Sequence, residues 1–402
     1  MLPDLPPEIW LEIMRMSTEI LQSDLLSTEV LATEFANRSY KKRYKALRDS
    51  LVIKRFLVRV CKQWNALATP LLYESIFIGR GRVLRSLCTT LQTQPVGQWT
   101  KRLDVAMRDY STGLNARKSK TAVDFEHIAT IIRSLPNIQT LNFCLDIESI
   151  LFPMPGSIIQ VISETCGPRL KVLQFYGEGY QPHYLDIPGL LAHTPNLVVF
   201  RSTSYLDLEP SWDSASESTE IHLPYLSSLY ISTEHCGLIQ NFPTLDAPSL
   251  RHIVTVGKFS NYTPPSPALL THIQFVEDLT IMDLHEFVDM VRENCPEIKR
   301  IDTYLWHWGT AAGFPHYLTL PPPLQILGLS FRDRGATKGG YAHFLSAIST
   351  LVFGNDFRSV RLLEKRNLDD LGFSHPVILK ELVEVLNVIG VGLEDGEGHA
   401  VD

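Results

Sequence analysis

Residues 136–143, Pro-Asn-Ile-Gln-Thr-Leu-Asn-Phe, contain the pattern that decides the fold. Apolar side chains at Ile138, Leu141 and Phe143 follow a proline, and this apolar-x-x-apolar-x-apolar spacing recurs along the chain. The central apolar residues of the copies are Leu103, Leu141, Leu173, Phe200, Leu229, Ile253, Leu279, Ile301, Leu327 and Val360. Successive centres lie 22 to 38 residues apart, so the pattern predicts a structural repeat with one short strand in each unit.

The positions of the prolines provide a test of the repeat that does not depend on the apolar residues. In seven of the ten copies a proline lies two residues before the first apolar position: Pro136, Pro168, Pro195, Pro224, Pro248, Pro296 and Pro322. With 25 prolines in 402 residues, chance predicts fewer than one such match in ten copies. Proline cannot continue a helix and pushes the preceding residue into extended geometry. Each proline therefore marks the turn, or corner, where a helix ends and a strand begins.

Helical patterns precede several of these corners. Ile128, Ile131, Ile132 and Leu135 share one helix face before Pro136, and a final helix is predicted over residues 376–390. Short strands alternating with helices at this period predict an α/β solenoid, with convex helices and a concave sheet of parallel strands. The central unit lengths fall within the 20–29 residues of leucine-rich repeats, whereas those at both ends are longer. A single compact α/β domain is the alternative fold.

Net charge, hydropathy and cysteine content exclude several classes of protein. The net charge of −7 disfavours a general nucleic-acid binder. No apolar run is long enough to span a bilayer, and the first residues lack the pattern of a secretory signal. Six scattered cysteines without a Cys-x-x-Cys pair indicate buried thiols in a reducing compartment. We therefore expect a cytoplasmic or nuclear protein, or one present in both, with no membrane or nucleic-acid partner.

The first eighty residues predict a separate helical segment. Pro6 and Pro7 are suited to the first turn of a helix that continues to Met16, with Ile9 and Ile13 on one face. A second apolar stripe, at i, i+3, i+4, i+7 and i+10, predicts one more helix that ends near Pro70, and its members are Leu57, Val60, Cys61, Trp64 and Leu67. The alternative interpretation of this segment is a plain helical cap on the repeat array.

These residues resemble the F-box family. The stretch from Leu5 to Ile13, with Pro6, Pro7, Ile9 and Trp10, looks like the first half of an F-box, and the stretch from Val60 to Tyr73 looks like its second half. About 40 residues separate the two halves, a spacing similar to the expanded F-boxes of mushroom-type fungi. The resemblance implies a small helical bundle that binds a Skp-family adaptor of a cullin–RING ubiquitin ligase. The residues expected at that interface, or in the bundle behind it, are Leu5, Pro6, Pro7, Ile9, Trp10, Ile13, Leu57, Val60, Cys61, Trp64, Leu71 and Leu72.

The predicted domains are residues 1–78, an F-box with a basic insertion at about 22–53; residues 79–392, the irregular leucine-rich-repeat-like solenoid with a C-terminal capping helix; and residues 393–402, a flexible acidic tail. Residues 37–63 contain ten Lys or Arg and one acidic residue. This basic segment is interpreted as a solvated loop or helix face, with a nuclear localisation signal or a patch for an acidic partner as the alternatives.

Motifs of catalysis are not found in the sequence. It contains no His-Glu-x-x-His, Gly-x-Ser-x-Gly or P-loop pattern and no zinc-like ligand spacing. We predict no catalytic, metal or cofactor residues, and an adaptor that holds a protein substrate of unknown identity. Strand positions that alternate outward are the candidates for substrate contact: Asn142, Gln174, Tyr176, Arg201, Tyr230, Thr280, Arg300 and Arg361.

Two other function hypotheses remain open at this point. One is a leucine-rich-repeat scaffold without a ubiquitin ligase role, in which the N-terminal helices form only a cap. The other is an enzyme, which would require a pocket where histidines and carboxylates converge.

Overall fold

The computed structural model describes residues 5–18, 37–106, 114–145, 152–176, 180–183, 186–202, 221–232, 245–256, 266–279, 281–305, 319–331, 338–349 and 351–401. Two compact units divide the chain, residues 1–226 and 227–402. The boundary predicted near residue 79 lies inside the first unit and stays a prediction.

Helices and parallel strands alternate through the first unit. Its helices are α1 Pro7–Thr18, α2 Asn37–Leu57, α3 Lys62–Tyr73, α4 Leu84–Thr93, α5 Leu114–Arg133, α6 Gly156–Thr165 and α7 Asp186–Ala192. Its strands are β1 Ser75–Ile78, β2 Arg102–Val105, β3 Thr140–Cys144, β4 Phe152–Pro153, β5 Val172–Tyr176, β6 Tyr180–Gln181, β7 Val199–Ser202 and β8 Ile221–His222. The main sheet has the order β1-β2-β3-β5-β7, and β4 pairs with β6 beside it.

The second unit continues the alternation. Its strands are β9 Ser228–Ser232, β10 Leu245–Asp246, β11 His252–Val256, β12 His272–Leu279, β13 Arg300–Leu305, β14 Ile326–Phe331, β15 Ser359–Leu362 and β16 Gly392–Glu394. Its helices are α8 Ile281–Asn294, α9 Lys338–Ser349, α10 Lys365–Ser374 and α11 Pro376–Val388. The sheet order is β9-β11-β12-β13-β14-β15-β16, and each of these pairings is parallel.

The predicted repeat is confirmed in nine of its ten central residues. In the first unit Leu103, Leu141, Leu173 and Phe200 are successive register partners across the sheet. In the second unit the partners are Leu229, Ile253, Ile273, Ile301, Leu327 and Val360. The predicted centre Leu279 is wrong, because Ile273 occupies that position and Leu279 pairs with Leu305 after a register shift in β12.

Side-chain hydrogen bonds connect successive proline turns at the start of the strands. Ile128, Ile131, Ile132 and Leu135 are buried before Pro136, as predicted. The side-chain amide nitrogen of Asn137 then donates to the Gln98 carbonyl at 2.8 Å, which connects one corner to the corner before it. Asn196, after Pro195, donates in the same way to the Pro168 carbonyl at 2.7 Å. The Pro-Asn pair therefore turns the chain and also satisfies a backbone acceptor of the neighbouring unit.

Both ends of the predicted architecture need correction. The basic insertion is helical in α2, where Leu47 and Leu51 are buried in a cluster with Ala106 and Cys144 of the strand region. One face of this helix is therefore not solvated. Residues 393–402, predicted as a flexible tail, include the end of β16, whose Leu393 carbonyl accepts from the Val401 amide at 2.9 Å.

Candidate protein-docking surface

Three helices at the N-terminus contact one another and bury an apolar cluster. Met14 of α1 meets Ala68 and Leu71 of α3, and Leu11, Leu57, Val58, Trp64 and Leu67 pack around them. The ring centroids of Trp10 and Trp64 lie 5.2 Å apart with a 50° tilt, a geometry favoured by aromatic pairs. This cluster holds α1 against α3, so the other face of α1 points away from the bundle.

The outward face of α1 carries an unusual apolar stripe. Ile9, Ile13 and Met16 are spaced i, i+4 and i+7, and they are 47%, 44% and 71% exposed. Phe56, near the end of α2, and Val60, in the following turn, are exposed as well. Isolated exposed apolar residues are common, whereas a stripe on one helix face indicates an interaction surface. We call Ile9, Ile13, Met16, Phe56 and Val60 the docking surface.

The predicted second helix is in fact two helices. Helix α2 ends at Leu57 and α3 begins at Lys62, because the extended residue Cys61 caps α3 with its sulfur, which accepts from the Trp64 amide at 3.4 Å. The Asn65 side chain donates to the Val58 carbonyl at 2.8 Å and closes the turn. The single stripe from Leu57 to Leu67 was therefore a wrong interpretation, and the turn is what exposes Val60.

Pro70 does not end α3, which continues to Tyr73. One residue before the proline, the hydroxyl of Thr69 donates to the Asn65 carbonyl at 2.6 Å. Burial of Leu71 on the bundle gives the last turn a packing contribution that offsets the backbone hydrogen bond lost at the proline.

The structure divides the predicted interface residues into three groups. Pro6, Pro7, Ile9, Ile13, Val60 and Cys61 are exposed; Leu5, Trp10, Leu57, Trp64 and Leu72 are partly buried; Leu71 is buried. The sequence prediction did not include Met16 and Phe56, which the structure shows to be exposed. The i+7 spacing from Ile9 would have identified Met16, whereas Phe56 required knowledge of where α2 ends.

The predicted substrate-facing residues are not a solvent-exposed strand face. Asn142, Gln174, Arg201, Tyr230, Arg300 and Arg361 are all buried, so the outward exposure expected from strand alternation is wrong, whereas their contact with a substrate stays a prediction. Thr280 and the side chain of Tyr176 lie outside the described residues. In the first unit the reason is a polar network: both oxygens of Asp104 bind the guanidinium of Arg102, and Oδ1 also accepts from Asn142 at 2.7 Å. Asn142 is therefore held inside the sheet face by Asp104.

A larger buried network occupies the corresponding face of the second unit. Nε2 of His272 lies 2.9 Å from Oδ2 of Asp302, and the Arg300 guanidinium also contacts that carboxylate at 2.9 Å. The ring of His272 stacks on His252 with centroids 4.2 Å apart, and Nδ1 of His252 lies 3.0 Å from the Ser228 hydroxyl.

Burial and neighbouring charges determine the pKa values of Asp302 and His252 in this network. Desolvation alone would raise the pKa of Asp302, but His272 and Arg300 hold it well below the ordinary range. Desolvation, reinforced by His272 and Arg300 and opposed by Asp302, keeps the pKa of His252 well below 6.5. Asp302 is therefore ionised and His252 neutral at physiological pH.

The contacts among the described residues of the histidine network are not those of a nucleophile–base–acid relay. Ser228 contacts His252, whereas the carboxylate of Asp302 contacts His272, and the two rings are stacked and not linked by a hydrogen bond. A catalytic triad instead requires the hydroxyl and the carboxylate on the two nitrogens of one imidazole. Within the described residues, no group of three or more metal-ligating side chains is present.

The described cysteines largely fit the predicted buried thiols. Cys88, Cys144, Cys166 and Cys295 are buried free thiols, and Cys61 is exposed. Cys236 lies outside the described residues. Burial raises the pKa of Cys166 to about 12 and that of Cys295 to about 11. Neither thiol therefore has the thiolate character of a reactive cysteine.

None of the helices in the described part of the chain is long and apolar enough to cross a bilayer.

Comparison with known proteins finds similarity at the level of structure. No family model matches the chain, and no curated protein matches it either. Among solved structures, the leucine-rich repeat-containing protein LegL7 from Legionella pneumophila is similar over 82% of this chain and 92% of its own, with 11% sequence identity and a TM-score of 0.42.

Proposed function

We propose that this protein is the substrate-recognition adaptor of an SCF-type cullin–RING ubiquitin ligase. Helices α1–α3 would bind a Skp-family adaptor, and the leucine-rich-repeat-like array would hold a protein substrate. The protein itself performs no chemistry in this proposal. The ligase would increase the rate by bringing a charged ubiquitin-conjugating enzyme close to substrate lysines.

The exposed stripe of Ile9, Ile13 and Met16 is the observation that carries this proposal. These side chains remain accessible although α1 already buries Met14 in the bundle, so α1 has apolar residues on two faces. A helix with apolar residues on both faces suits a segment that packs on its own bundle and on a partner. Ile9 and Ile13 of the stripe also belong to the first half of the F-box-like sequence.

Copurification with a Skp-family adaptor tests the proposal. The full chain is coexpressed with the adaptor and the complex is analysed by size-exclusion chromatography. Ile9→Asp and Ile13→Asp should each abolish coelution, because a buried unpaired carboxylate is costly at an apolar interface. Val388→Asp is the matched control, since Val388 is 87% exposed at the end of α11, far along the chain from the docking surface.

Each variant must melt within a few degrees of the wild-type protein, as measured by circular dichroism. If the folded wild-type protein does not coelute with the adaptor, the ubiquitin ligase proposal fails.

A scaffold without a ubiquitin role is the second candidate function. Its supporting observation is the packing of Leu47 and Leu51 of α2 against Ala106 and Cys144, which is what a terminal cap of a repeat array does. This candidate predicts partner binding by the array and no coelution with the adaptor.

A further inference from the structure

A large cleft in the first unit lies between α2, β1 and α4. Its volume is about 1070 Å³, slightly above the range of roughly 300–1,000 Å³ that small-molecule sites occupy. Residues of all three elements line it, and the docking-surface residues Ile9, Ile13, Met16, Phe56 and Val60 do not. We call it the α2–β1–α4 cleft.

Positive charge dominates the lining of the α2–β1–α4 cleft. Among the described lining residues, Lys45, Arg48, Arg55 and Arg80 are basic and exposed, and Asp49 is the acidic residue. This excess is opposite in sign to the net charge of −7 of the whole chain. A locally basic cleft on an acidic protein attracts an anionic ligand by charge complementarity.

The spacing of the cations favours an elongated ligand over a small anion. Lys45 and Arg55 are ten residues apart on α2, which corresponds to about 15 Å along a helix. A single phosphate or carboxylate can engage only part of a row of that length. They match acidic groups distributed along a chain.

Apolar residues between the cations favour a peptide over a nucleic acid. Val52, Leu72 and Leu87 line the cleft beside the basic side chains. The aliphatic side chains, together with Tyr73 and Phe77 of the same lining, suit apolar side chains of a peptide. Because aromatic residues can also stack on bases, a thymidine oligomer is the competing ligand in the test below.

The sheet edge supplies backbone contacts for an extended chain. Strand β1 is the first in the strand order, and the carbonyls of Glu74 and Ile78 accept from Arg102 and Ala106 on the β2 side at 3.1 and 2.8 Å. Because a parallel ladder uses alternate residues, the backbone groups of Ser75 point away from β2, and Ser75 lines the cleft. An extended peptide adds to such an edge by main-chain hydrogen bonds.

We propose that the α2–β1–α4 cleft binds an extended acidic peptide segment of a partner protein, with its carboxylates on Arg48 and Arg55 and its apolar side chains on Val52 and Leu72. The site is separate from the docking surface, so this binding stands whether or not α1 binds an adaptor. If the adaptor function holds, the cleft selects substrates or regulators with acidic segments.

Fluorescence anisotropy with the full chain tests the proposal. The probe is a fluorescein-labelled ten-residue peptide that alternates glutamate and leucine. We expect binding that weakens as salt is added and is lost when glutamine replaces glutamate in the peptide. The double variant Arg48→Glu/Arg55→Glu should weaken it at least about tenfold, because like charges then face the peptide.

The matched control is Arg59→Glu/Arg82→Glu, which changes the net charge equally at two exposed residues outside the cleft lining. Equal weakening by both double variants would show non-specific attraction and overturn the proposal. Absence of binding, equal binding of the glutamine peptide, or tighter binding of a ten-nucleotide thymidine oligomer would overturn it too. The variant Arg48→Glu/Arg55→Glu should still coelute with the Skp-family adaptor, so a loss of peptide binding can be distinguished from a loss of adaptor binding. If the charge-reversal variant does not fold, Arg48→Gln/Arg55→Gln tests the same loss of peptide binding.

Discussion

His272 of β12 and Asp302 of β13 share a buried contact of 2.9 Å between imidazole Nε2 and carboxylate Oδ2. Both side chains lie on a strand face where alternation predicts solvent exposure, and Asp302 is fully buried. Buried charges require partners, and Arg300 and His272 provide them. The contact therefore predicts that this face stabilises the second unit.

Removal of the central carboxylate should destabilise the protein strongly. Asp302→Ala takes away the acceptor of both Arg300 and His272, and breaking a buried ionic network costs about 3–5 kcal/mol. Urea denaturation measures the loss. The control is Asp289→Ala, whose carboxylate contacts His285 and Arg292 on the surface of α8, and an exposed pair contributes at most about 1 kcal/mol. Equal effects of the two substitutions would contradict the structural role of Asp302.

Gly328 should not tolerate a side chain. It is the register partner of Asp302, and a Cβ atom there would meet a carboxylate oxygen and, at 2.7 Å, Cδ2 of Leu363. Gly328→Ala should therefore cost about 1–3 kcal/mol through overpacking. Gly189→Ala is the matched control, because a Cβ atom in that helix finds nothing within 4 Å and the helix gains about 0.5–1 kcal/mol. Both changes are measured by thermal unfolding.

Stability should fall on acidification because of His252. Its pKa in the folded protein lies well below 6.5, so below that pH the unfolded chain binds a proton that the folded protein does not. The free energy of unfolding should thus decrease as the pH falls through about 6.5 toward the folded pKa. Asp302 adds its own loss only at lower pH, below its ordinary pKa of 3.8.

The variant His252→Gln should flatten the stability profile between about pH 5 and 7, a window that follows from the histidine pKa. Gly189→Ala, which changes no titratable group, should leave the slope unchanged. An unchanged slope in His252→Gln would contradict the assignment.

The insertion helix should contribute to stability through one face only. Leu47→Ala removes a buried side chain from the cluster with Ala106 and Cys144 and should cost about 2–5 kcal/mol. Ile53→Ala, on the exposed face of α2, should change stability by less than about 0.5 kcal/mol. Hydrogen exchange of the α2 amides should increase in Leu47→Ala, and unchanged protection would mean that the helix does not depend on the sheet.

The repeat could be predicted from sequence because two independent signals coincide in seven of the ten copies. Leu141 and Leu173 combine an apolar centre with a proline five residues earlier, and both centres are correct. Leu279 lacks such a proline, and the register shift between Phe275 and Asp278 leaves no apolar signature. The error therefore occurred at a unit where apolar spacing was the sole signal and the strand changes register.

The candidate sites were less predictable because burial depends on neighbours far along the chain. Arg300 and Asn142 are polar at alternate strand positions, which predicts exposure, yet Asp302 and Asp104 provide buried partners. The break between α2 and α3 was missed because cysteine is not among the preferred N-cap residues, although the sulfur of Cys61 fills that role.

The packing of α2 on the strands has a consequence for modularity. Leu47 and Leu51 belong to the segment that interrupts the F-box-like sequence, while their partners Ala106 and Cys144 belong to the first repeats. An N-terminal segment exchanged between related proteins would leave an apolar strand face uncovered unless its inserted helix came with it. Recombination and gene fusion should therefore keep residues 1–145 together. The insertion is then expected to evolve jointly with the first repeats.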